Sequence, residues 1–323
     1  MGVLTTVAKR GAQAIAVLLA VSFLIYLLLD LLPGDAAEQL VGPAYDLTPE
    51  ERAERVRQEQ IRLGLDRPLI VRYLSWLGDL VTGNLGRSVR GNPIGTLIGD
   101  RLGVSLEIAI TSVLIALIVA IGIALIVHAS KADWLAKLTQ AFSSAFIIVP
   151  QFYLAFLLVL IFAVWLGVLP SIGYTPFWDD PSKHFRQLVL PIATLVLPQV
   201  ATYLPYLVSG LRTSSTAPMA IAAAARGISQ RRLLFAHLLP NGILPTISMA
   251  GIVMGNLLGN MVIIEFAFSI PGIGSLLLRG IGDQDLELVS TLVVIIAIVF
   301  VVSSILTDLI YSLVDPRLRK VSK

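Results

Sequence analysis

An all-α polytopic membrane fold follows from three features of this chain. Of its 323 residues, 56% are hydrophobic and only 14% charged, against about 25% charged in an ordinary soluble domain. Six apolar segments each reach the roughly 20 residues needed to cross a bilayer core as a helix. The basic residues gather in alternating loops, the asymmetry that sets membrane orientation. Lipid is therefore the solvent for most of this surface.

The six segments run roughly over 11–32, 104–127, 138–169, 187–211, 242–268 and 288–310. Lys9 and Arg10 precede the first, as in a signal peptide, but its apolar run is too long for one and no small-residue cleavage site follows. It reads as a retained first helix. Lys131 and Lys137 lie in the second loop on the N-terminal side. Arg212, Arg226, Arg231 and Arg232 occupy 212–241 without a single acid, and Arg317, Arg319, Lys320 and Lys323 close the chain. The other loops are mixed or acidic, with Asp179 and Asp180 in one and Asp283, Asp285 and Glu287 in another. Both termini are expected to be cytoplasmic, as six crossings require.

Four parts are expected: tail and first helix (1–32), an extracytoplasmic segment (33–101), a core of five helices (102–310) and a cytoplasmic tail (311–323). In the outer segment Thr48-Pro49-Glu50-Glu51 reads as a helix start, with Thr48 as N-cap, Pro49 in first position and Glu51 closing a capping box. Gly64 is its expected stop. Glu51 and Arg55 stand at i,i+4 and can pair. Ala53, Val56, Gln60 and Leu63 share one side, either a solvated face or part of a docking surface for an external partner.

Pro191, Pro198 and Pro205 recur every seven residues in the fourth span, hence on one helical face. Each removes a backbone hydrogen bond. Either they make a deformable, pathway-lining helix, or this is ordinary tolerance of proline in membrane helices.

Enzymatic constellations are missing. No cysteine exists, and His128, His184 and His237 lie far apart, so a transition-metal site is not expected. No lysine is followed by Ser or Thr, which a phosphate-binding P-loop requires. The intramembrane charges Glu107, Glu265, Asp308 and Asp30 fall near the ends of the expected helices. That placement argues against a proton relay through mid-membrane carboxylates.

The informative stretch is 216–240. Pro218 starts a short helix, Ala222–Ala225 propagate it and Gly227 ends it. Ser229 caps a second helix, which Pro240 terminates. Alanines leave a helix without bulk, so a partner's groove can approach its backbone. Leu233, Leu234 and Leu238 are apolar in a cytoplasmic loop and want burial. A loop serving only to set topology would explain the arginines but not these residues.

This loop resembles the EAA loop of ABC-importer permeases, a Glu-Ala-Ala, three residues, Gly, nine residues and Ile-x-Leu-Pro. Ala222, Ala223, Gly227, Leu239 and Pro240 fit that spacing, while Ile221 stands in place of Glu and His237 in place of Ile. Other stretches resemble the dipeptide/oligopeptide branch: Leu32-Pro33-Gly34-Asp35, Arg62-Leu63-Gly64-Leu65-Asp66-Arg67-Pro68-Leu69 and Gly83-Asn84-Leu85-Gly86-Arg87-Ser88. Glu265-Phe266-Ala267-Phe268-Ser269-Ile270-Pro271-Gly272-Ile273-Gly274 and Tyr311-Ser312-Leu313-Val314-Asp315-Pro316-Arg317 complete the series.

The resemblance implies the type I ABC importer permease fold and, for the chain, a multi-pass place in a prokaryotic plasma (inner) membrane. It implies pairing with a second permease, one or two ATPase subunits and an extracytoplasmic solute-binding protein, and a peptide-like substrate. ATP and Mg belong to the partners and no cofactor to this chain; nucleic acid is not expected. Ala222, Ala223, Gly227, His237, Leu239 and Pro240 would form the coupling loop that carries ATPase closure to the helices. Glu265, Pro271, Gly272 and Gly274 are a candidate outer-gate turn, or else a simple turn by which the chain re-enters the membrane. Two other readings stand: a permease for metal chelates or other small solutes, and a proton-coupled carrier working alone.

Overall fold

The computed structural model describes residues 3–31, 36–41, 48–62, 64–130 and 132–314. Leu63, the Leu32–Asp35 stretch and 315–323 lie outside the described residues, as do the side chains of Asp30 and Asp308. No strand occurs among the described residues, and the helices follow the hydropathy pattern. Helix α1 (Val3–Asp30) contains the apolar stretch Ile15–Leu28. Short α2 (Ala36–Val41), α3 (Pro49–Arg62) and α4 (Leu69–Val81) follow. Next comes α5 (Ile94–Ser130), then α6 (Asp133–Ile148) and α7 (Gln151–Leu158), the last continued by a π-helical stretch, Val159–Trp165. Long α8 (Pro181–Ser215) precedes α9 (Pro218–Ala225), α10 (Gln230–Leu233), a π-helical turn (Leu234–Leu238) and α11 (Leu239–Gly242). The chain ends in α12 (Leu244–Ala267), α13 (Ile273–Gly282) and α14 (Leu286–Val314).

Three helices, Ile94–Ser130, Pro181–Ser215 and Leu286–Thr307, are each long and apolar enough to cross a membrane. Counting each of two bent pairs, Asp133–Ile148 with Gln151–Trp165 and Gln230–Gly242 with Leu244–Met254, as one span gives five among the described residues, and α1 adds a shorter apolar stretch, Ile15–Leu28. This is a multi-pass membrane protein.

One expectation is corrected here. The third apolar segment, 138–169, is not one helix but two, bent by 104°. Pro150 is the cause. The residue before a proline is disfavoured in the helical region, and Val149 is extended at φ −70°, ψ 122°. By contrast α8 stays continuous through Pro191, Pro198 and Pro205. Threonine hydroxyls supply extra hydrogen bonds to its carbonyls, Thr194 to Leu190 at 2.8 Å and Thr202 to Pro198 at 2.9 Å. The prolines do not share one environment: Pro191 is buried and Pro205 exposed.

The chain forms two compact units. One comprises Leu106–Ile270 and the chain from Phe300. Its core sets Ala116, Ala120 and Ala124 of α5 against Val200, Tyr203, Leu204, Leu207 and Leu211 of α8. Lipid tails are as apolar as leucine, so helices in a membrane gain by close packing, which a stripe of alanines permits. In the same unit a Cβ on Gly251 of α12 would come within 2.8 Å of Thr307 in α14.

The other unit comprises Leu4–Ser105 and Pro271–Val299. Tyr26 of α1, Tyr73 and Trp76 of α4 and Val294 of α14 form one of its clusters. The Ser22 and Tyr73 hydroxyls meet at 3.0 Å, and Trp76 Nε1 donates to Thr291 Oγ1 at 3.2 Å. Helix α3 carries the expected capping box: Thr48 N–H donates to Glu51 Oε2 at 2.9 Å, and Glu51 N–H to Thr48 Oγ1 at 3.3 Å. Thr48 N–H and the Thr48 hydroxyl, the latter also at 2.9 Å, both donate to the Glu51 carboxylate and favour its ionised form, so Glu51 titrates below the ordinary carboxylate value. Gly64, at φ +66°, ends α3 with bonds from its own N–H to Ile61 and from Leu65 N–H to Gln60. None of the residues of α3 is buried, so its Ala53–Val56 side is a solvated face within this chain.

The buried carboxylate of Asp285 ties the 86–91 turn to the α13–α14 corner. It accepts Val89 N–H at 2.8 Å and Leu288 N–H at 3.1 Å. Arg90 adds a paired contact to Asp283 at 2.6 and 2.8 Å. Burial raises the pKa of Asp285, and the two N–H groups only partly oppose it. Replacing Asp285 by Ala orphans two buried N–H groups and should cost about 2–5 kcal/mol. Thermal unfolding in detergent measures this. A raised pKa means the folded chain holds the proton more tightly than the unfolded one. The Asp285 contribution is therefore greatest below the ordinary carboxylate value and declines as pH rises through the raised one. Asp285→Asn should flatten that part of the profile.

Candidate functional site

The 216–240 loop is built as its residues dictate, with two exceptions. Ala217 is extended, Pro218 opens α9, and Gly227 at φ +76° closes it. Gly227 N–H donates to Ala224 at 2.9 Å and Ile228 N–H to Ala223 at 3.4 Å, the paired bonds that end a helix on a left-handed residue. The exceptions lie downstream. Ser229 occupies the N-cap position of α10 but makes no capping hydrogen bond. Pro240 does not terminate the second helix; it sits inside α11. The preceding π-helical turn explains this, because Leu239 N–H reaches back five residues to Leu234 and the widened register accommodates a residue without N–H. Asn241 Nδ2 then donates to the His237 carbonyl at 2.7 Å.

This loop has an inner and an outer face. Ala220, Ala223 and Leu238 are buried, and Leu233, Leu234 and Leu239 pack against the same core as α8's Leu207 and Leu211. Outward face Met219 (54% exposed), Ile221 (61%), Ala222 and Gly227. His237 is half-buried and Pro240 exposed.

The root of the loop is a backbone-on-backbone contact. A Cβ on Gly210 of α8 would collide with the Gly242 carbonyl of α11, and one on Gly242 would meet the Gly210 carbonyl carbon at 3.0 Å. No other residue type fits there, a constraint that composition and spacing did not reveal.

A second cluster gathers around Glu107. Helix α5 begins about three turns before the expected start, so Glu107 lies well inside it rather than near its end. His184 is 2% exposed, its Nδ1 donating to the Thr175 carbonyl at 2.8 Å and its Nε2 lying 2.8 Å from Glu107 Oε1. Tyr174 donates to the other Glu107 oxygen at 2.8 Å. Burial and this bond raise the Tyr174 pKa, keeping it a donor. The rings of Tyr174, Phe177 and Phe185 meet His184 edge-on. Among the described residues no group of three or more His, Asp or Glu could hold a metal ion.

The outer turn separates into parts. Glu265 is 1% exposed in α12 and belongs to the first unit, while Pro271, Gly272 and Gly274 belong to the second. Gly272 is the extended N-cap of α13, and Gly274 lies buried within that helix. Neither glycine has positive φ. The left-handed residue is Ser269 at φ 53°, where Ile270 N–H reaches Glu265 at 2.8 Å.

Comparison with known proteins agrees with this architecture. Residues 112–320 match the family described as "Binding-protein-dependent transport system inner membrane component", and 3–95 match its N-terminal companion. The chain is 34% identical over 316 residues to a protein named as a peptide transport system permease of Brucella abortus (strain 2308), covering 96% of this chain and 98% of that one. It is 31% identical over 312 residues to one named as a peptide ABC transporter permease of Sinorhizobium fredii, covering 96% and 98%. It is 29% identical over 317 residues to the glutathione transport system permease protein GsiC of Escherichia coli O6:H1, covering 98% and 99%. The chain belongs to the binding-protein-dependent transport system inner membrane component family: it is a membrane permease subunit.

Two results should follow from the geometry. Gly210→Ala forces α8 and α11 apart and should cost about 1–3 kcal/mol, more than Gly242→Ala. Gly259, with open space around it, should accept alanine without loss. Melting temperatures in one detergent rank the three. Glu107→Ala strands the Tyr174 hydroxyl and the His184 ring, at about 1–3 kcal/mol per orphaned group. Glu107→Gln restores an acceptor and a donor and should recover most of it, read as hydrogen exchange across 171–179.

Proposed function

We propose that this chain is one half of the transmembrane path of an ATP-driven peptide importer. It works with a second permease, one or two ATPase subunits and an external binding protein, and carries no ATPase site or cofactor of its own; ATP and Mg sit on the partners. The alternation of basic and acidic loops supports cytoplasmic termini in a prokaryotic inner membrane. The outer segment then spans 33–101 and the core 102–310.

One observation carries the coupling role. The 216–240 loop shares a core with α5 and α8 on one side and exposes Met219, Ile221 and Ala222 on the other. A partner pushing the outer face moves the helices through packed atoms, not through a slack tether. Closure of the ATPase dimer would draw two such loops together and turn the paths outward, and hydrolysis would reverse the motion. Relatives named for peptide and glutathione transport support the substrate class.

Gly227 is exposed, with nothing within 4 Å of an added Cβ. Gly227→Trp should therefore leave the bundle intact, at a strain cost of about 1–2 kcal/mol, while blocking docking. Expected are normal size-exclusion behaviour, loss of ATPase subunits on copurification and at least a tenfold drop in ATP-driven uptake. Normal uptake by the folded variant contradicts the coupling role.

A further inference from the structure

A cavity of about 780 Å³ opens in the unit formed by Leu4–Ser105 and Pro271–Val299. This is within the range of small-ligand sites, about 300–1,000 Å³. Its lining is unlike the lipid-facing surface. Arg72, Ser75, Trp76 and Asp79 project from one face of α4, at the spacing that brings helical residues into line. Arg62 and Arg67, from the α3–α4 turn, join the Arg72 end. Glu287 and Asp285, from the α13–α14 corner, also line the cavity with Asp79. It thus carries guanidinium groups toward the start of α4 and a carboxylate toward its end.

Several of these charges are already committed. Asp285 holds two backbone N–H groups. Arg62 pairs with Glu59 at 2.6 Å, and Arg87, also in the lining, donates to the Gly91 carbonyl at 2.9 Å. Arg67 has no side-chain partner among the described residues and is exposed, and Asp79 makes only a long 3.4 Å contact to Asn84. The Ser88 hydroxyl, 6% exposed, lines the cavity with no hydrogen-bond partner among the described residues. Glu287 is committed too: it accepts the Arg87 N–H and lies against Gly86, where a Cβ would come within 2.6 Å of its Oε2 and φ of +71° also favours glycine. A built cavity thus retains an unused cation, an unused carboxylate and an unused hydroxyl.

We infer that this cavity binds a free zwitterionic peptide of about three residues. Its carboxylate lies toward Arg67 and Arg72, and its ammonium toward Asp79. The length follows from the helix: Arg72 and Asp79 stand seven residues apart, about 10 Å along the axis. An extended chain spans about 3.4 Å per residue, so three residues separate the terminal charges by that distance. Trp76 and Ser88 offer an apolar wall and one hydrogen bond to the segment between. The inference rests on the peptide-importer reading for its ligand class, and on the outward placement of 33–101 for access.

The test uses the full chain in lipid nanodiscs and trialanine as probe, followed by calorimetry. Saturable binding is expected, weakened about tenfold by N-acetylation and about tenfold by C-amidation, one charged contact each. Arg67→Gln should remove sensitivity to amidation only, and Asp79→Asn sensitivity to acetylation only, with unchanged size-exclusion profiles. Equal binding of free and doubly blocked trialanine, or no binding at millimolar concentration, overturns the inference. So does a result in which both variants bind trialanine normally but lose the purified binding protein, since the cavity then receives that protein. ATP-driven uptake by the reconstituted importer separates the two readings. Uptake without trialanine binding to the chain sinks the cavity alone, and absence of uptake of any peptide sinks the importer reading.

Discussion

The close approach of α8 to α11 at Gly210 and Gly242 governs how the rest of this permease can work. In a bilayer the hydrophobic effect does not hold one helix against another, so association depends on how near two backbones can come. Here they touch without side chains between them, at the root of the 216–240 loop. The same logic runs up α5, where Ala116, Ala120 and Ala124 let it settle against α8. The loop's buried Ala220 and Leu238 extend that packing beyond the helix ends. A displacement of the loop is thereby a displacement of the helices.

Polar groups follow a complementary rule. Two carboxylates set away from bulk water are met by partners close at hand, because an unpaired charge is costly there. Asp285 is held by two backbone N–H groups, and Glu107 by His184 and Tyr174. The two carboxylates do different work. Asp285 fastens a loop to a helix corner, whereas Glu107 meets an imidazole buried from solvent. Neither is arranged as a path for protons across the membrane, which weighs against the stand-alone carrier.

Much of this was legible in the residues themselves. Hydropathy located the membrane helices, because burial in lipid demands long apolar runs whatever the tertiary arrangement. Thr48, Glu51, Gly64, Pro218 and Gly227 announced helix ends, because caps and left-handed stops are local chemistry. The family followed from motifs spread along the chain. What failed also failed for local reasons: Pro150 was hidden inside an unbroken apolar run, and Pro240 was rescued by a π-helical turn that no spacing rule reveals. Ser269, a residue with a Cβ, takes the left-handed conformation, and nothing in its spacing announces this.

Other features belong to the folded chain alone. That Gly210 and Gly242 are one contact, that His184 closes on Glu107, and that α4 turns Arg72 and Asp79 into one cavity could not be read from separations of 32, 77 and 7 residues. The sequence by itself determined which segments enter the membrane, where helices start and stop, and which family the chain resembles. Each of those depends on the solvent or on a few adjacent dihedrals. Tertiary structure decided which glycines are contacts and which charges are paired, because those depend on what distant segments bring to the same few ångströms.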